Sequence, residues 1–350
     1  MLVVSFLGAS GSLLVWRDEV DARLNPNLLR VAPRSQRAPL EPVRRAVEAR
    51  FPGRQITMLN VARTPTGTHE WWLDKGALRV YSDPYTGWVL GERAESQGVI
   101  PWTIRAHTEL FAGERGEQIV AWNGLALFCL VLSGLVLWLP RTKSAWRRAL
   151  WPNLKTNARG RIYELHRVGG LWASGFLLLA ATTGMALVWK PLATTLASPL
   201  GVTEPPKAKG SGPMILSLDD YIIKANAAFP DGAVTRVTFP TKKSATVVVR
   251  KKLADELHSN GQNNITLDAK TGAVLGVVDT RTAPAGQRLL NLRFPLHTGV
   301  WAGDWSRVLT SLLGLAPLGF SVSGFLLWRS RRKRAAPVAV KRKEAEPARA

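Results

Sequence analysis

Three stretches of the chain, Ile119 to Leu139, Val168 to Trp189 and Val308 to Trp328, are apolar and free of charge for about 20 residues each, the length of helix that crosses a bilayer. Their glycines and serines fit helices in lipid, where small residues allow close approach. Pro317 predicts a kink in the last of them. A fourth apolar run, Met1 to Trp16, is shorter and is not preceded by the basic region of a signal peptide. Its end, Gly11 to Arg17 (GSLLVWR), aligns with Gly184 to Lys190 (GMALVWK) at an offset of 173. On that register the first run is expected to be the second half of a span that begins upstream of Met1.

A second internal echo runs at an offset of 190. His107-Thr108, Ala112-Gly113, Gly124-Leu125-Ala126, Ser133-Gly134 and Leu137-Trp138 return without a gap as His297-Thr298, Ala302-Gly303, Gly314-Leu315-Ala316, Ser323-Gly324 and Leu327-Trp328. The chain therefore reads as two copies of one unit. The long segments between spans echo each other too. Val43, Ala46, Val47 and Phe51 have helical spacing closed by Pro52-Gly53, and Leu218 to Phe229 has the same, closed by Pro230-Asp231-Gly232. Strand-like runs follow at Glu70 to Trp72, Leu78 to Tyr81 and Ala245 to Arg250. Each copy then has a turn opened by aspartate and closed by glycine, Asp83 to Gly87 and Asp268 to Gly272, before a short strand. One helix on a small antiparallel sheet is the α+β reading of each.

The formal charge of +22 sits mainly beside the spans. Arg141, Lys143, Arg147, Arg148, Lys155, Arg159, Arg161 and Arg167 face a single acid, Glu164, between the second and third spans. Arg329, Arg331, Arg332, Lys333, Arg334 and further basic residues follow the last. Such flanks stay cytoplasmic, and alternating spans put both on one side. The charge is read as a topology signal, with no nucleic-acid partner expected. Cys129 is the only cysteine, which excludes an intramolecular disulfide, a CxxC redox pair and a covalent CxxCH haem site.

The pattern of a helix followed by D-x-x-T-G-x-V-L-G resembles the PepSY domain. Two such units alternating with apolar helices, with Leu165-His166-Arg167 opening one span and Leu296-His297-Thr298-Gly299 leading into another, are similar to the PepSY-associated transmembrane family of iron-regulated inner-membrane proteins. The resemblance implies an α-helical membrane bundle of four transmembrane helices, the first truncated, with two α+β PepSY-like extracytoplasmic domains and internal duplication. The expected division is a partial first span at 1–17, a PepSY-like domain at 38–113, a span at 118–140, a basic loop at 141–165, a span at 166–190, a second PepSY-like domain at 214–296, a span at 306–328 and a basic tail at 329–350.

Three of the five histidines lie at span boundaries: His107 and His297 on the outer side, His166 on the inner. A neutral imidazole offers one nitrogen to iron while the other bonds a neighbour that fixes its orientation. His107 and His297 are equivalent in the 190-residue repeat, so pseudo-twofold packing would bring them together as axial ligands of one b-type haem. Spacing alone leaves a second reading open, in which they are interfacial residues bonded to carbonyls and the nearby glycines serve helix packing. His107 precedes the apolar core of its span by 12 residues, roughly 18 Å along a straight helix, so ligation requires a bend. The resemblance further implies two haems, with His166 a ligand of the inner one and its partner in the missing half of the first span. His69 and His258 read as solvated loop or strand-end residues.

No dinucleotide fingerprint, Walker loop, HExxH or GxSxG is present, so electrons would come from a separate donor. Trp102, Trp301 and Trp305 read as an interfacial belt or a docking surface near the outer histidines, and Arg105 and Arg115 as neighbours of an anionic group. The resemblance implies an inner-membrane, multi-pass haem protein with periplasmic PepSY domains and a cytoplasmic C-terminus. Its expected activity is reduction of ferric iron held in a ferrisiderophore. The alternative is a non-enzymatic PepSY regulator or accessory protein of an envelope protease or transporter. The lipid bilayer is the one assured partner; self-association is left open.

Overall fold

The computed structural model describes residues 2–204, 206, 212–242 and 244–334. The chain opens with α1 (Leu2–Leu14), α2 (Arg17–Leu24), α3 (Pro26–Leu29) and α4 (Leu40–Arg50). Strands β1 (Ile56–Asn60), β2 (His69–Leu73), β3 (Leu78–Ser82) and β4 (Val89–Ala94) follow, then α5 (Val99–Glu109), α6 (Gly113–Trp138), α7 (Lys143–Ala149), α8 (Ala158–Val188) and α9 (Lys190–Ala197). The second copy runs through α10 (Leu218–Ala228), β5 (Ala233–Thr238), β6 (Thr246–Lys252), β7 (Asn263–Asp268), β8 (Val274–Val278), α11 (Ala285–Thr298), α12 (Gly303–Gly314) and α13 (Ala316–Arg334).

The helix and strand patterns read from the sequence occur where expected. Helices α4 and α10 stop one residue short of Phe51 and Phe229. Both aspartate turns form: Asp83 O accepts from Gly87 N at 2.9 Å and Asp268 O from Gly272 N at 2.8 Å, with both glycines at positive φ. Beyond what pattern alone predicted, the two strand sets join. β1 and β5 pair antiparallel, Met58 with Thr238 and Asn60 with Arg236, giving one eight-stranded sheet in the order β4-β3-β2-β1-β5-β6-β7-β8. Alternate residues point into a core under α4 and α10: Leu59, Trp71, Leu73 and Val80 from one copy, Val237, Val247, Val249, Ile265 and Leu267 from the other.

The two helices on that face cap each other. The Asp219 carboxylate accepts from the backbone amides of Leu40 and Glu41, both at 2.9 Å, and Glu41 accepts from the Leu218 amide at 2.9 Å. Each carboxylate thus satisfies amides left free at the other helix's N-terminus. Arg44 beside Glu41, together with the Leu218 amide, holds its carboxyl down to about 2 despite burial.

Three helical stretches, Gly113–Trp138, Ala158–Val188 and Gly303–Arg331, are long and apolar enough to cross a membrane. α6 and α8 pack along each other, α13 packs on α8, and the shorter α1 lies against α12 and α13. Along that last seam a Cβ on Gly8 would collide with the Gly314 carbonyl. Ser5 and Ser321 hydroxyls meet at 2.7 Å, and Ser12 donates to the Ser311 carbonyl at 2.8 Å. Small and hydroxylated residues are what let helices approach closely in lipid. The expected break before Pro317 is present: α12 ends at Gly314 and α13 starts at Ala316. The basic tail beyond Arg334 lies outside the described residues.

Candidate functional site

The bend that His107 requires is built into the chain. α5 stops at Glu109, Leu110 and Phe111 take left-handed backbone conformations (φ 47° and 59°), and α6 starts anew at Gly113. α5 and α6 are packed on each other, so His107 is folded back rather than extended outward. The second copy turns with glycine instead: α11 ends at Thr298, Gly299 has φ 76°, and α12 begins at Gly303.

Each hairpin presses its histidine on a neighbouring helix at a hydroxyl–glycine pair. His107 sits on Ser10-Gly11 of α1, and His297 on Thr183-Gly184 of α8. A Cβ on Gly11 would stand 3.0 Å from His107 Cε1, and one on Gly184 3.1 Å from His297 Cε1. Glycine is therefore what lets the ring lie on the helix.

The hydroxyls also determine the tautomer. Ser10 donates its proton to the Phe6 carbonyl at 2.8 Å, and Thr183 donates to the Leu179 carbonyl at 2.6 Å. With those protons committed, each oxygen can only accept, so His107 Nδ1–H donates to Ser10 Oγ (3.0 Å) and His297 Nδ1–H to Thr183 Oγ1 (3.1 Å). Nε2 of each ring is left with a lone pair and no proton. The two ring centres are 6.3 Å apart and the planes tilted by 52°. Both line a cavity of about 380 Å³ between the helices, walled by Gly8, Gly11, Gly124, Gly184 and Gly314 and by apolar side chains such as Leu127 and Phe176.

His166, on α8, repeats the arrangement at the other end. Its Nδ1 lies 2.8 Å from Ser323 Oγ, which donates to the Gly319 carbonyl at 2.8 Å, and the ring rests beside Gly324. Phe320 stands edge-on to it, 5.4 Å between centres. Along α8, 17 residues separate His166 from Thr183, roughly 25 Å. The structure thus brings His107 and His297 together and keeps His166 apart. A fourth hydroxyl–glycine pair, Ser133-Gly134 on α6, has no imidazole among the described residues: a Cβ on Gly134 would meet nothing within 4 Å.

His69 differs from its expected solvated state. It begins β2, is only 2% exposed, and accepts from the Ala62 amide at 3.0 Å; burial, and then the charge of Arg37, hold it down to about 4. The alternation of β2 puts its first residue on the core face, a consequence of register that a polar sequence context hides. His258 is half-buried, its ring 4.9 Å from that of Phe294. Arg105 is ion-paired with Glu109, and Trp102 and Trp305 are exposed. The hydroxyl–glycine pairs were not singled out as partners of the histidines by spacing. The signal for them was there: Ser10-Gly11, Thr183-Gly184, Ser133-Gly134 and Ser323-Gly324 all recur on the 173- and 190-residue registers.

Comparison with known proteins agrees with a membrane protein. The chain is 25% identical over 256 residues to a protein of Pseudomonas aeruginosa named "Uncharacterized protein PA4219", a match covering 65% of this chain and 63% of that protein, somewhat under two thirds of its length. Residues 1–331 match the family described as the PepSY-associated TM region. The chain belongs to the PepSY-associated TM region family and is a membrane protein.

Proposed function

We propose that this chain is a four-span protein of a bacterial inner membrane that binds b-type haem between His107 and His297 and passes electrons outward to ferric iron held in a chelate such as a ferrisiderophore. On this reading α1 is the fourth span, the two halves of the sheet with their helices are periplasmic PepSY domains, and the basic 141–165 loop and C-terminus are cytoplasmic. The observation that carries the proposal is the histidine pair itself, ring centres 6.3 Å apart at one cavity, with each Nδ1 at a hydroxyl, 3.0 and 3.1 Å away.

The fit can be tested on geometry. The two ring centres are 6.3 Å apart, close enough for one metal ion to be reached by a nitrogen of each ring. Among the described residues no cluster of three or more His, Cys, Asp or Glu is arranged to hold a metal ion. A two-histidine site suits a metal that brings its remaining ligands with it, as a macrocycle does. The glycine-walled cavity supplies apolar space between the helices. His166 and its Ser323 partner would hold a second haem at the inner end.

Haem bound there would supply a one-electron ferric–ferrous couple. The chain's own contribution is to hold and orient the rings. Ser10 and Thr183 fix the Nδ1–H tautomer and make Nε2 a better donor, Gly11 and Gly184 let the rings lie against the helices, and the apolar walls keep water away. Reduction of the substrate weakens its hold on the metal, because hard oxygen ligands suit ferric iron better than ferrous. The test is direct. Protein expressed with adequate haem supply and reduced with dithionite is expected to reoxidise on addition of a ferric chelate, with ferrous iron captured by a colorimetric trap. Reduced protein that stays reduced in the presence of ferric chelates defeats the reductase reading, and protein without a Soret band points to the regulator alternative.

A further inference from the structure

On the sheet face turned away from α4 and α10, one row of side chains crosses six successive strands: Tyr81, Glu70, Asn60, Arg236, Arg250 and Asn264 stand opposite one another in register. The first half of the row satisfies itself. Asn60 Nδ2 donates to Glu70 at 2.9 Å, and Arg79 lies 3.7 Å from the same carboxylate. The second half does not. Arg236 and Arg250 face each other directly across β5 and β6, an arrangement that repels.

Among the described residues each of these two arginines spends only Nε on a neighbour, Arg236 on Asn60 Oδ1 at 2.8 Å and Arg250 on Asn264 Oδ1 at 3.0 Å. Among the described residues neither has a carboxylate partner. The acids whose charge reaches them are engaged elsewhere: Glu70, near Arg236, accepts from Asn60 at 2.9 Å, and Glu256, near Arg250, accepts from the backbone amides of Leu253 and Gln262 at 2.7 and 2.9 Å. Burial, and then the charge of Arg250, hold Arg236 down to about 10, and burial lowers Arg250 as well. Two half-buried guanidinium forks with free terminal N–H groups are the donor set that grips a carboxylate or phosphate at two points.

The row also borders the bundle. Arg17, whose guanidinium lies 5.7 Å from the Phe294 ring centre, and Phe294 itself both line the histidine cavity. His258, packed on Phe294, experiences the charges of Arg250, Arg236, Arg17 and Arg63 together. The cationic half of the row and the cavity mouth are thus neighbouring regions.

We propose that Arg236 and Arg250 form the floor of a binding site for a small polyvalent oxyanion, beside the mouth of the bundle cavity. The site stands on the sheet register and its unpaired guanidinium groups, and does not depend on haem.

The experiment uses the full chain in nanodiscs of phosphatidylcholine, titrated calorimetrically with citrate and with inorganic phosphate, on protein prepared with and without added haem. Saturable binding that weakens with salt is expected, at least about tenfold weaker in Arg236→Gln and Arg250→Gln. Arg236→Lys keeps the charge but loses the fork, and should fall between wild type and Arg236→Gln. Circular dichroism and thermal unfolding of each variant separate lost binding from lost fold. Failure of the wild type to bind either anion overturns the proposal, as does undiminished binding in both folded glutamine variants. A site closed to both anions once phosphatidylglycerol is included belongs to a lipid headgroup, which also overturns the assignment to a soluble anion. Haem-free protein that binds citrate normally supports this site while counting nothing for the electron-transfer reading.

Discussion

The two ends of the helix bundle use the same seat for histidine and differ in how the seats are filled. At the end that the proposed topology makes outer, Ser10-Gly11 and Thr183-Gly184 each carry an imidazole, and the ring centres are 6.3 Å apart. At the end that it makes inner, Ser323-Gly324 carries His166, with Phe320 beside it, and Ser133-Gly134 carries none among the described residues. The seat orients one ring; only opposition of two seats makes a two-ligand site. The difference separates what the local motif does from what the pseudo-twofold arrangement adds.

Substitutions at the glycines are the strongest way to break the comparison. Gly184→Leu or Gly11→Leu puts a branched side chain where a Cβ alone already stands 3.0–3.1 Å from the ring, and is expected to unseat the histidine and abolish haem retention at the outer end. Gly134→Ala meets nothing within 4 Å and should be neutral or stabilising by about 0.5–1 kcal/mol through helix propensity. Equal loss of haem and of thermal stability at both ends would remove the distinction.

A second contrast concerns anchorage of the first copy. Arg93, on β4, is buried and bonded to Asp21 of α2 at 2.9 and 2.5 Å. Asp21→Ala leaves that guanidinium uncompensated and is expected to cost about 3–5 kcal/mol, seen as a lowered midpoint in chemical unfolding. An unchanged midpoint would show that the pair does not hold α2 to the sheet.

Removing the acceptors probes the seats more gently. Thr183→Val and Ser10→Ala keep the rings' space but delete the oxygen that fixes Nδ1–H, and are expected to weaken haem affinity by about 10–100-fold. Ser323→Ala should leave the outer site untouched, which competitive haem transfer can measure.

Acid reads out the buried histidine of the sheet, in a window it shares with His258, which burial and the arginines around it also hold down to about 4. His69 binds its proton in the unfolded chain near the ordinary value of 6.5 but in the folded one only near 4, so the unfolded state gains protons first and stability falls as pH drops through that window, by on the order of 3 kcal/mol. Glu41 is lowered from 4.5 to about 2; the stability it lends is present above 4.5 and is lost as pH falls toward 2. A His69→Gln variant whose unfolding midpoint varies between pH 6.5 and 4 as the wild type does would exclude His69 as the cause of the first loss.

Local pattern made much of this molecule legible in advance. The apolar periodicity of α4 and α10, the two aspartate turns and the 190-residue echo are all short-range or repeated signals, and each appears in the fold. The 173-residue echo makes α1 the counterpart of α8's second half, and both indeed carry a hydroxyl–glycine seat. The β1–β5 junction was not legible, because Met58 to Asn60 and Arg236 to Thr238 show nothing in sequence that selects one edge as partner over solvent. Nor was the hairpin at Leu110 and Phe111, since neither residue favours a left-handed backbone; in the second copy Gly299 marks the same reversal openly. His69 was misread for a related reason: its burial follows from strand register, which polar neighbours such as Glu70 conceal.

The central claim is that His107 and His297 act as one site through opposed Nε2 atoms. The measurement that tests it most directly is haem content and the Soret spectrum of purified wild-type protein, of His107→Ala, of His297→Ala and of His166→Ala, all expressed with the same haem supply. The account predicts bound haem in the wild type, loss of the outer haem's signal in either of the first two variants, and its retention in the third. Wild-type protein that holds no haem, or an undiminished spectrum in both outer variants, would contradict it.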